Sequence, residues 1–357
     1  MPTRQNLLGV PLEHLERLLA PYTDRAFRSR QIFQAIHRRG VTDLQQMTDL
    51  PSALRARLAE HFVIALPEPT SHHTAADGTT KMLFALADGA TIEAVDIPDG
   101  KRTTFCISSQ AGCPLGCRFC VTGYWGAGRD LSAGEIIGQV YALRRHAIQQ
   151  RGDLPAGLNL VFMGMGEPLL NLPAVRDAIH ILAEEISWRR MTLSTVGLIP
   201  QLQEIARWPK RPNLAISLHA PDDERRSRIM PINRTHPMAE LIETLRAFPL
   251  EKGRRITFEY ILIQGFNDAL EDADALARWT EGLRAKVNLI PINPDPVLGD
   301  RMAPPSWEQS LAFRDRLNRK GVTATIRRQR GDEVSGACGQ LRAAERAPRG
   351  FRTPINL

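Results

Sequence analysis

Three cysteines, Cys113, Cys117 and Cys120, lie within eight residues of a 357-residue chain that has only five. Their loop reads QAGCPLGCRFCVTGYWG over residues 110–126, with three and then two residues between the thiols. Thiolates are soft ligands suited to zinc, copper(I) or iron–sulfur clusters. Structural zinc takes four protein ligands, and four-cysteine clusters likewise close their coordination. Three thiolates on a cubane instead leave one iron with an open position for a substrate or cofactor. Gly112 and Gly116 permit the tight backbone that such a loop needs. Zinc is an alternative if His219 supplies a fourth ligand, although zinc sites usually show a second short-spaced pair of cysteines. Buried structural cysteines are a third reading, but packing gains little in so polar a loop.

Such a loop needs a scaffold, and hydrophobic periodicity shows where its elements fall. Leu12, Leu15, Leu18 and Leu19 form one apolar stripe at helical spacing, and Phe27, Ile32, Phe33 and Ile36 form a second that stops at Gly40. The other face of the second stretch is arginine-rich, which reads as a solvated face or, less directly, as an RNA contact. Further on, Asp-Gly pairs at 77–78, 88–89 and 99–100 flank TKMLFALA and ATIEAVDIP, a hairpin pattern that predicts a small antiparallel sheet. TTFCIS, LNLVFMG, MTLSTVG, NLAISLH, ITFEYILI, VNLIPIN and VTATIR then read as strands separated mostly by helical stretches. One of those helices opens on Ser132 and Glu135, spaced as a capping box. This βα repetition predicts an α/β fold with a parallel sheet, open and doubly wound or closed into a partial or full barrel. The polar clusters are the cysteine loop, GMGEP at 164–168, Ser194-Thr195, SLH at 217–219, Asn293 and the Cys338 segment. They fall at or just past strand ends, where barrels and open α/β sheets bind their ligands.

Composition bounds the setting. Hydrophobic residues make up 43% and charged residues 24%, ordinary for a soluble globular chain of one large and one smaller domain. No apolar run reaches membrane-span length and the first ten residues lack the apolar core of a signal peptide, so a cytoplasmic location is expected. Clustered cysteines are not a secreted disulfide framework, which points the same way. The formal charge of +7 suits a polyanionic partner but equally suits plain solubility.

At the first strand of a βα array, the Cys-x3-Cys-x2-Cys spacing resembles the radical S-adenosylmethionine (SAM) superfamily. The remaining two cysteines narrow the likeness. Cys106 in TTFCISSQAGC and Cys338 in RRQRGDEVSGACGQL, together with MGMGEPLLN, LST, LAISLHAP and VNLIPINP, resemble the RlmN/Cfr family of RNA adenine methyltransferases over nearly the whole chain. MGMGEPLLN and RGDEVSGACGQL are more similar to the branch that methylates carbon 2 of adenine than to the branch that methylates carbon 8. The resemblance implies a partial (β/α) radical SAM barrel at 99–335. An N-terminal helical domain at 1–65 and a small β extension at 66–98 would precede it, and a C-terminal segment at 336–357 would carry Cys338 and a basic tail.

The same resemblance implies site residues and chemistry. Cys113, Cys117 and Cys120 match the ligands of a 4Fe–4S cluster. Gly166, Glu167, Ser194, Ser217, Leu218, His219 and Asn293 match SAM-binding positions, with the Glu167 carboxylate paired to the SAM ammonium. Cys338 matches the methyl-carrying cysteine, Cys106 the second catalytic thiol, and Glu93 a proton acceptor, although Glu93 also reads as an ordinary sheet carboxylate. Carbon 2 of adenine is electron-poor and resists polar methyl transfer, so the family uses two SAM molecules. One methylates Cys338, and the other yields a 5′-deoxyadenosyl radical that takes hydrogen from the S-methyl group. The methylene radical adds to adenine, and Cys106 helps release the product by forming a disulfide with Cys338. The implied partners are 23S ribosomal RNA, transfer RNA with an adenine next to the anticodon, and a flavodoxin or ferredoxin as reductant. Arg327, Arg328 and Arg330 stand where an RNA backbone would approach, and the target base must be unpaired or extruded. Tyr124-Trp125, Asp130 and INP at 292–294 depart from the family's commonest pattern. A carbon-8 methylase, or a non-catalytic metal- and RNA-binding protein on the same fold, are the other readings.

Overall fold

The computed structural model describes residues 4–23, 25–154, 157–299, 302–327 and 329–341. Arg328 and the basic tail from residue 342 lie outside the described residues. Two short strands, β1 (Gln5–Asn6) and β2 (Phe62–Val63), pair in parallel and bracket helices α1 (Leu12–Leu19), α2 (Ala26–His37) and α3 (Ser52–His61). The expected stripe on α2 holds for Ile32, Phe33 and Ile36, which are buried. Phe27 departs from it. Two residues from buried Ser29, it lies across the helix, half-exposed under the Arg28 guanidinium.

The remaining strands form one ten-stranded sheet whose spatial order follows the chain. β3 (Glu68–Thr74), β4 (Thr80–Ala85), β5 (Thr91–Asp99) and β6 (Arg102–Cys106) run antiparallel through tight Asp-Gly turns. Gly78, Gly89 and Gly100 take φ of 82°, 82° and 57° there, the left-handed backbone that such turns require. β6 then starts the parallel series β7 (Gly157–Phe162), β8 (Met191–Thr195), β9 (Asn213–Ser217), β10 (Ile256–Leu262), β11 (Ala285–Pro291) and β12 (Ala324–Ile326). All seven strand segments read from the sequence are present in that series. The hairpins are continuous with the barrel strands, because Val95 of β5 pairs directly with Cys106 of β6.

Helices cover the outside of the parallel series: α4 (Ala133–Arg151), α5 (Leu172–Leu182), α6 (Ile199–Ala206), α7 (Asp223–Ile229), α8 (Met238–Arg246), α9 (Leu270–Thr280) and α10 (Trp307–Arg319). The capping box at the start of α4 is formed in both directions, Glu135 N donating to Ser132 Oγ (3.2 Å) and Ser132 N to Glu135 Oε2 (2.8 Å). None of the described helices is long and apolar enough to cross a membrane.

The sheet does not close, since β3 and β12 are both edges. The segment after β12 instead crosses back over the hairpin strands. Arg330 reaches Asp99 (3.1 Å), Gly331 N donates to Asp77 (3.2 Å), and Ala76 N donates to Glu333 (2.9 Å). The N-terminal helices share the main hydrophobic core, which runs from Leu7 to Leu341. Their docking is tight at one point: Gly9, at φ 80°, lies so close to α4 that a Cβ would fall 2.1 Å from Gly134 N. Tyr141 of α4 adds a hydroxyl bond to the His37 carbonyl at 3.2 Å. Gly9→Ala should therefore lower the unfolding free energy by ~1–3 kcal/mol, the usual cost of overpacking. Denaturant unfolding should show that loss, with early proteolysis ahead of residue 65. Wild-type stability in the variant would mean the contact is slack.

Candidate active site

Every βα turn of the barrel ends at one rim, and the polar clusters meet there. Cys113, Cys117, Cys120, Gly166, Glu167, Ser194, Ser217, His219 and Cys338 line a single interior cavity. The cysteine loop is folded tightly enough that a Cβ on Gly123 would sit 2.8 Å from the Cys117 carbonyl. Gly112 and Gly116 both take positive φ, 122° and 63°. The loop's entry strand is locked to α4 by Gln139, which accepts from Ser108 N (2.8 Å) and donates to Ser108 O (3.0 Å).

The Gly166-Glu167 turn is held from beneath by Gln110. Its Oε1 accepts from Glu167 N (2.8 Å), and its Nε2 donates to Asp130 (2.7 Å). A Cβ on Gly166, whose φ is 96°, would meet Gln110 N at 2.7 Å. The departure at Asp130 thus anchors the floor of the turn. Asn171 ties the same floor by donating to the carbonyls of Ser109 (2.8 Å) and Leu131 (2.7 Å).

Four expected site residues sit apart from the cavity lining. The Leu218 side chain is fully buried in the core, and its carbonyl accepts from Arg226 (3.1 Å). Asn293 lies in a neighbouring cleft and donates to the Cys338 carbonyl (2.9 Å). Cys106 is buried at the end of β6, near enough to Cys338 and Arg327 for all three charges to interact. Glu93 pairs with Lys81 at 2.9 Å. It lies two residues before Val95, the register partner of Cys106, and so on the same sheet face as that thiol. All five cysteines are free thiols, so the disulfide between Cys106 and Cys338 is not present in the folded chain.

The electrostatics of the cavity call for a cationic ligand. Burial pushes Cys113 up to about 12 and raises Cys117 well above an ordinary thiol, and each is raised further by its cysteine neighbours and Glu167. Cys120 is raised chiefly by burial as well. Three adjacent thiols, one buried and two partly buried, resist ionising together unless a positive charge compensates them. Among the described residues, no three His, Cys, Asp or Glu groups converge on one ion position. His219 also commits Nδ1 to the Ile261 amide (3.1 Å). With Nδ1 accepting from that amide, the neutral ring carries its proton on Nε2, which counts against His219 as a fourth zinc ligand. Glu167 is pushed up to about 7 by burial, eased by bonds from Thr195, Val196 and Leu169. The Val196 and Leu169 amides each donate to it at 3.0 Å. Among the described residues no cation pairs with it, so it suits an incoming ammonium. His219 is lowered to about 3 by burial and by Arg226, so its ring is neutral with the proton on Nε2.

Sequence reasoning missed the residues that shape this rim. Arg226, fully buried, donates to the carbonyls of Val196 (2.7 Å), Ser217 (2.9 Å) and Leu218 (3.1 Å), and to Asn233 Oδ1 (2.6 Å). It staples the ends of β8 and β9. Asn267 donates to the carbonyls of His219 and Ile261, each at 2.7 Å, which holds His219 at its strained φ of 61°. In sequence both are ordinary polar residues of a helix and a loop; no local signal marks them. Glu259, also on the cavity wall, carries no sequence signal either, whereas Arg327, expected to face an RNA backbone, lines this cavity as well.

A partial barrel with three free thiols at the rim of its first parallel strand defines the class, that of radical SAM enzymes. Residues 107–279 match the radical SAM superfamily model, and residues 5–64 match the ribosomal RNA large subunit methyltransferase N-terminal domain. The chain is 45% identical over 349 residues to the dual-specificity RNA methyltransferase RlmN of Anaeromyxobacter dehalogenans, covering 96% of this chain and 93% of that one. It is 46% identical over 342 residues to RlmN of Halorhodospira halophila, covering 94% and 92%. The crystal structure of a radical SAM methyltransferase from Sphaerobacter thermophilus superposes with a TM-score of 0.88 at 43% identity, covering 95% of this chain and all of that one (100%). The chain belongs to the RlmN family of RNA methyltransferases. The family brings with it a 4Fe–4S cluster and SAM, and the donor set above fits both.

The burial of Glu167 has a pH-dependent consequence. Its folded value lies above the ordinary carboxylate value of 4.5. Its stabilising contribution is therefore complete below about pH 4.5 and is lost as pH rises through about 7. Without SAM, the wild type should lose ~3 kcal/mol relative to Glu167→Gln between pH 4 and pH 8. Paired denaturant titrations at the two pH values measure this, and a constant difference would contradict the assigned burial.

Proposed function

We propose that this chain methylates carbon 2 of adenine in 23S ribosomal RNA and transfer RNA through a methylcysteine intermediate, using two SAM molecules per turnover. The observation that carries the reading is the position of Cys338. Cys338 lines the interior cavity together with Cys113, Cys117 and Cys120 and also lines the outer cleft, which supports a role between cofactor and substrate.

Cys113, Cys117 and Cys120 hold the cluster in this reading. Glu167 binds the SAM ammonium, and Gly166, Ser194, Ser217 and His219 complete its seat. The cluster and SAM together supply, when bound, one-electron cleavage of SAM and a hydrogen-abstracting radical. Everything else falls to the chain. Cys338 receives a methyl group on Sγ and presents it to the cavity. Asn293 fixes the Cys338 carbonyl and hence the direction of that thiol. Leu218 acts through its backbone, tied to Arg226. Burial holds Cys106 protonated, up to about 12, with the Arg327 charge opposing that rise. It stays a thiol until the adduct must break. Its sulfur then bonds to Cys338 Sγ as the bond from Sγ to the methylene carbon cleaves, and the methylene takes up a proton to become the methyl group. One proton and one electron are released, the electron to the same donor couple that supplies the reaction. Glu93, paired with Lys81 on the sheet face of Cys106, is the proton acceptor of this reading. A flavodoxin or ferredoxin as electron donor, and a cytoplasmic location, complete the proposal.

Anaerobically reconstituted protein tests this reading. Cys338→Ala should abolish methyladenine formation, while Cys106→Ala should leave protein covalently trapped on RNA, visible as a denaturant-stable adduct. Chromatography of digested RNA separates the carbon-2 from the carbon-8 product. Normal turnover by both variants would sink the mechanism.

A further inference from the structure

The outer cleft that shares Cys338 with the interior cavity has a wall with no role so far. It is about 480 Å3, within the range of small-molecule sites. Arg327, Ile290 and Cys338 belong to both spaces, so the cleft leads from solvent to the thiol. Trp307, the first residue of α10, lies on its wall and is 50% exposed, as is Phe27, and these two are the most open large apolar side chains described. Pro304 and Pro305, just before it, also line the cleft and restrict the backbone there. Arg327 and Arg330 supply positive charge to the same cleft. The carboxylate partner of Arg330, Asp99, is itself 72% exposed, so that ion pair is weak and can be exchanged for another anion.

A flat, open indole beside guanidinium groups matches the way proteins hold unpaired nucleotides: the base stacks and the phosphate pairs with arginine. We infer that Trp307 is the stacking platform for a nucleotide flanking the target adenine, with Arg330 on its phosphate. This inference rests on the proposed RNA substrate and adds a subsite to it. Stacking here would hold the RNA loop open, so that the neighbouring adenine is delivered toward Cys338. An acidic protein partner is the competing occupant, and it would not depend on an unpaired base.

A double-mutant cycle tests the subsite by direct binding. Cluster-loaded enzyme is titrated with a labelled RNA stem-loop carrying the target adenine unpaired, and then with the same RNA abasic at each flanking position in turn. Trp307→Ala should weaken binding of the intact loop about tenfold, and Trp307→Phe should restore most of it. One abasic RNA should show a similar loss with wild type and no further loss with Trp307→Ala. Unchanged binding by Trp307→Ala, or losses that simply add, would overturn the subsite. Methyladenine formation by the wild type is scored separately. Its failure would remove the functional reading, while the binding cycle would still report on the stacking contact.

Discussion

The structure depends on a sheet that does not close. Ten strands run in order from β3 to β12, and among the described residues neither edge strand pairs with a further strand. In a closed barrel the chain after the last strand would have no reason to enter the interior. Here it is drawn across the seam and fixed by bonds from distant parts of the fold. Val121 N donates to the Gly339 carbonyl (2.7 Å), Thr122 Oγ1 to the Leu341 carbonyl (2.6 Å), and Gln340 to the Pro294 carbonyl (3.1 Å). Two of those donors belong to the helical turn inside the cysteine loop, just past Cys120. The seam thus couples the position of Cys338 to the conformation of the loop holding the other three rim thiols.

Within that frame the rim has an uneven charge balance. Arg226 is a buried cation whose cost is offset by five acceptors, so it serves as a fixed staple and not as a ligand. Burial and the loss of solvation lower it to about 10, with Cys117 and Asp223 opposing that fall. Glu167 is the reverse case, a buried acid given only neutral donors. The three thiols are raised by burial and by one another. Each of these groups is poorly placed in an unliganded protein and well placed beside an ammonium or bound iron. Stability is given up locally where a ligand restores it.

The accessory parts are built onto the same scaffold. The N-terminal helices share a core with α4 and α5, and Gly9 packs directly against Gly134. Arg38 pairs with Glu184 (2.7 Å) beyond the end of α5. The hairpin strands extend the barrel sheet and bring Lys81, Glu93 and Asp99 to the open side, where the Cys338 segment passes. Their role in the chemistry is therefore one of placement.

What the sequence by itself determined was local. Thiol spacing, Asp-Gly turns, the Ser132–Glu135 box and seven strand segments all follow from interactions within a few residues, and all of them are legible without a structure. That polar clusters sit past strand ends was equally legible, because parallel strands in a βα array must point the same way. Tertiary structure alone decided the rest. It placed Asn293 on the Cys338 carbonyl and made Arg226 a staple where the sequence shows a charged helix face. It turned Phe27 outward and joined Cys338 to two spaces at once. These outcomes depend on pairings across tens or hundreds of residues, and on which polar groups lose their water. Neither quantity has a signature in local spacing.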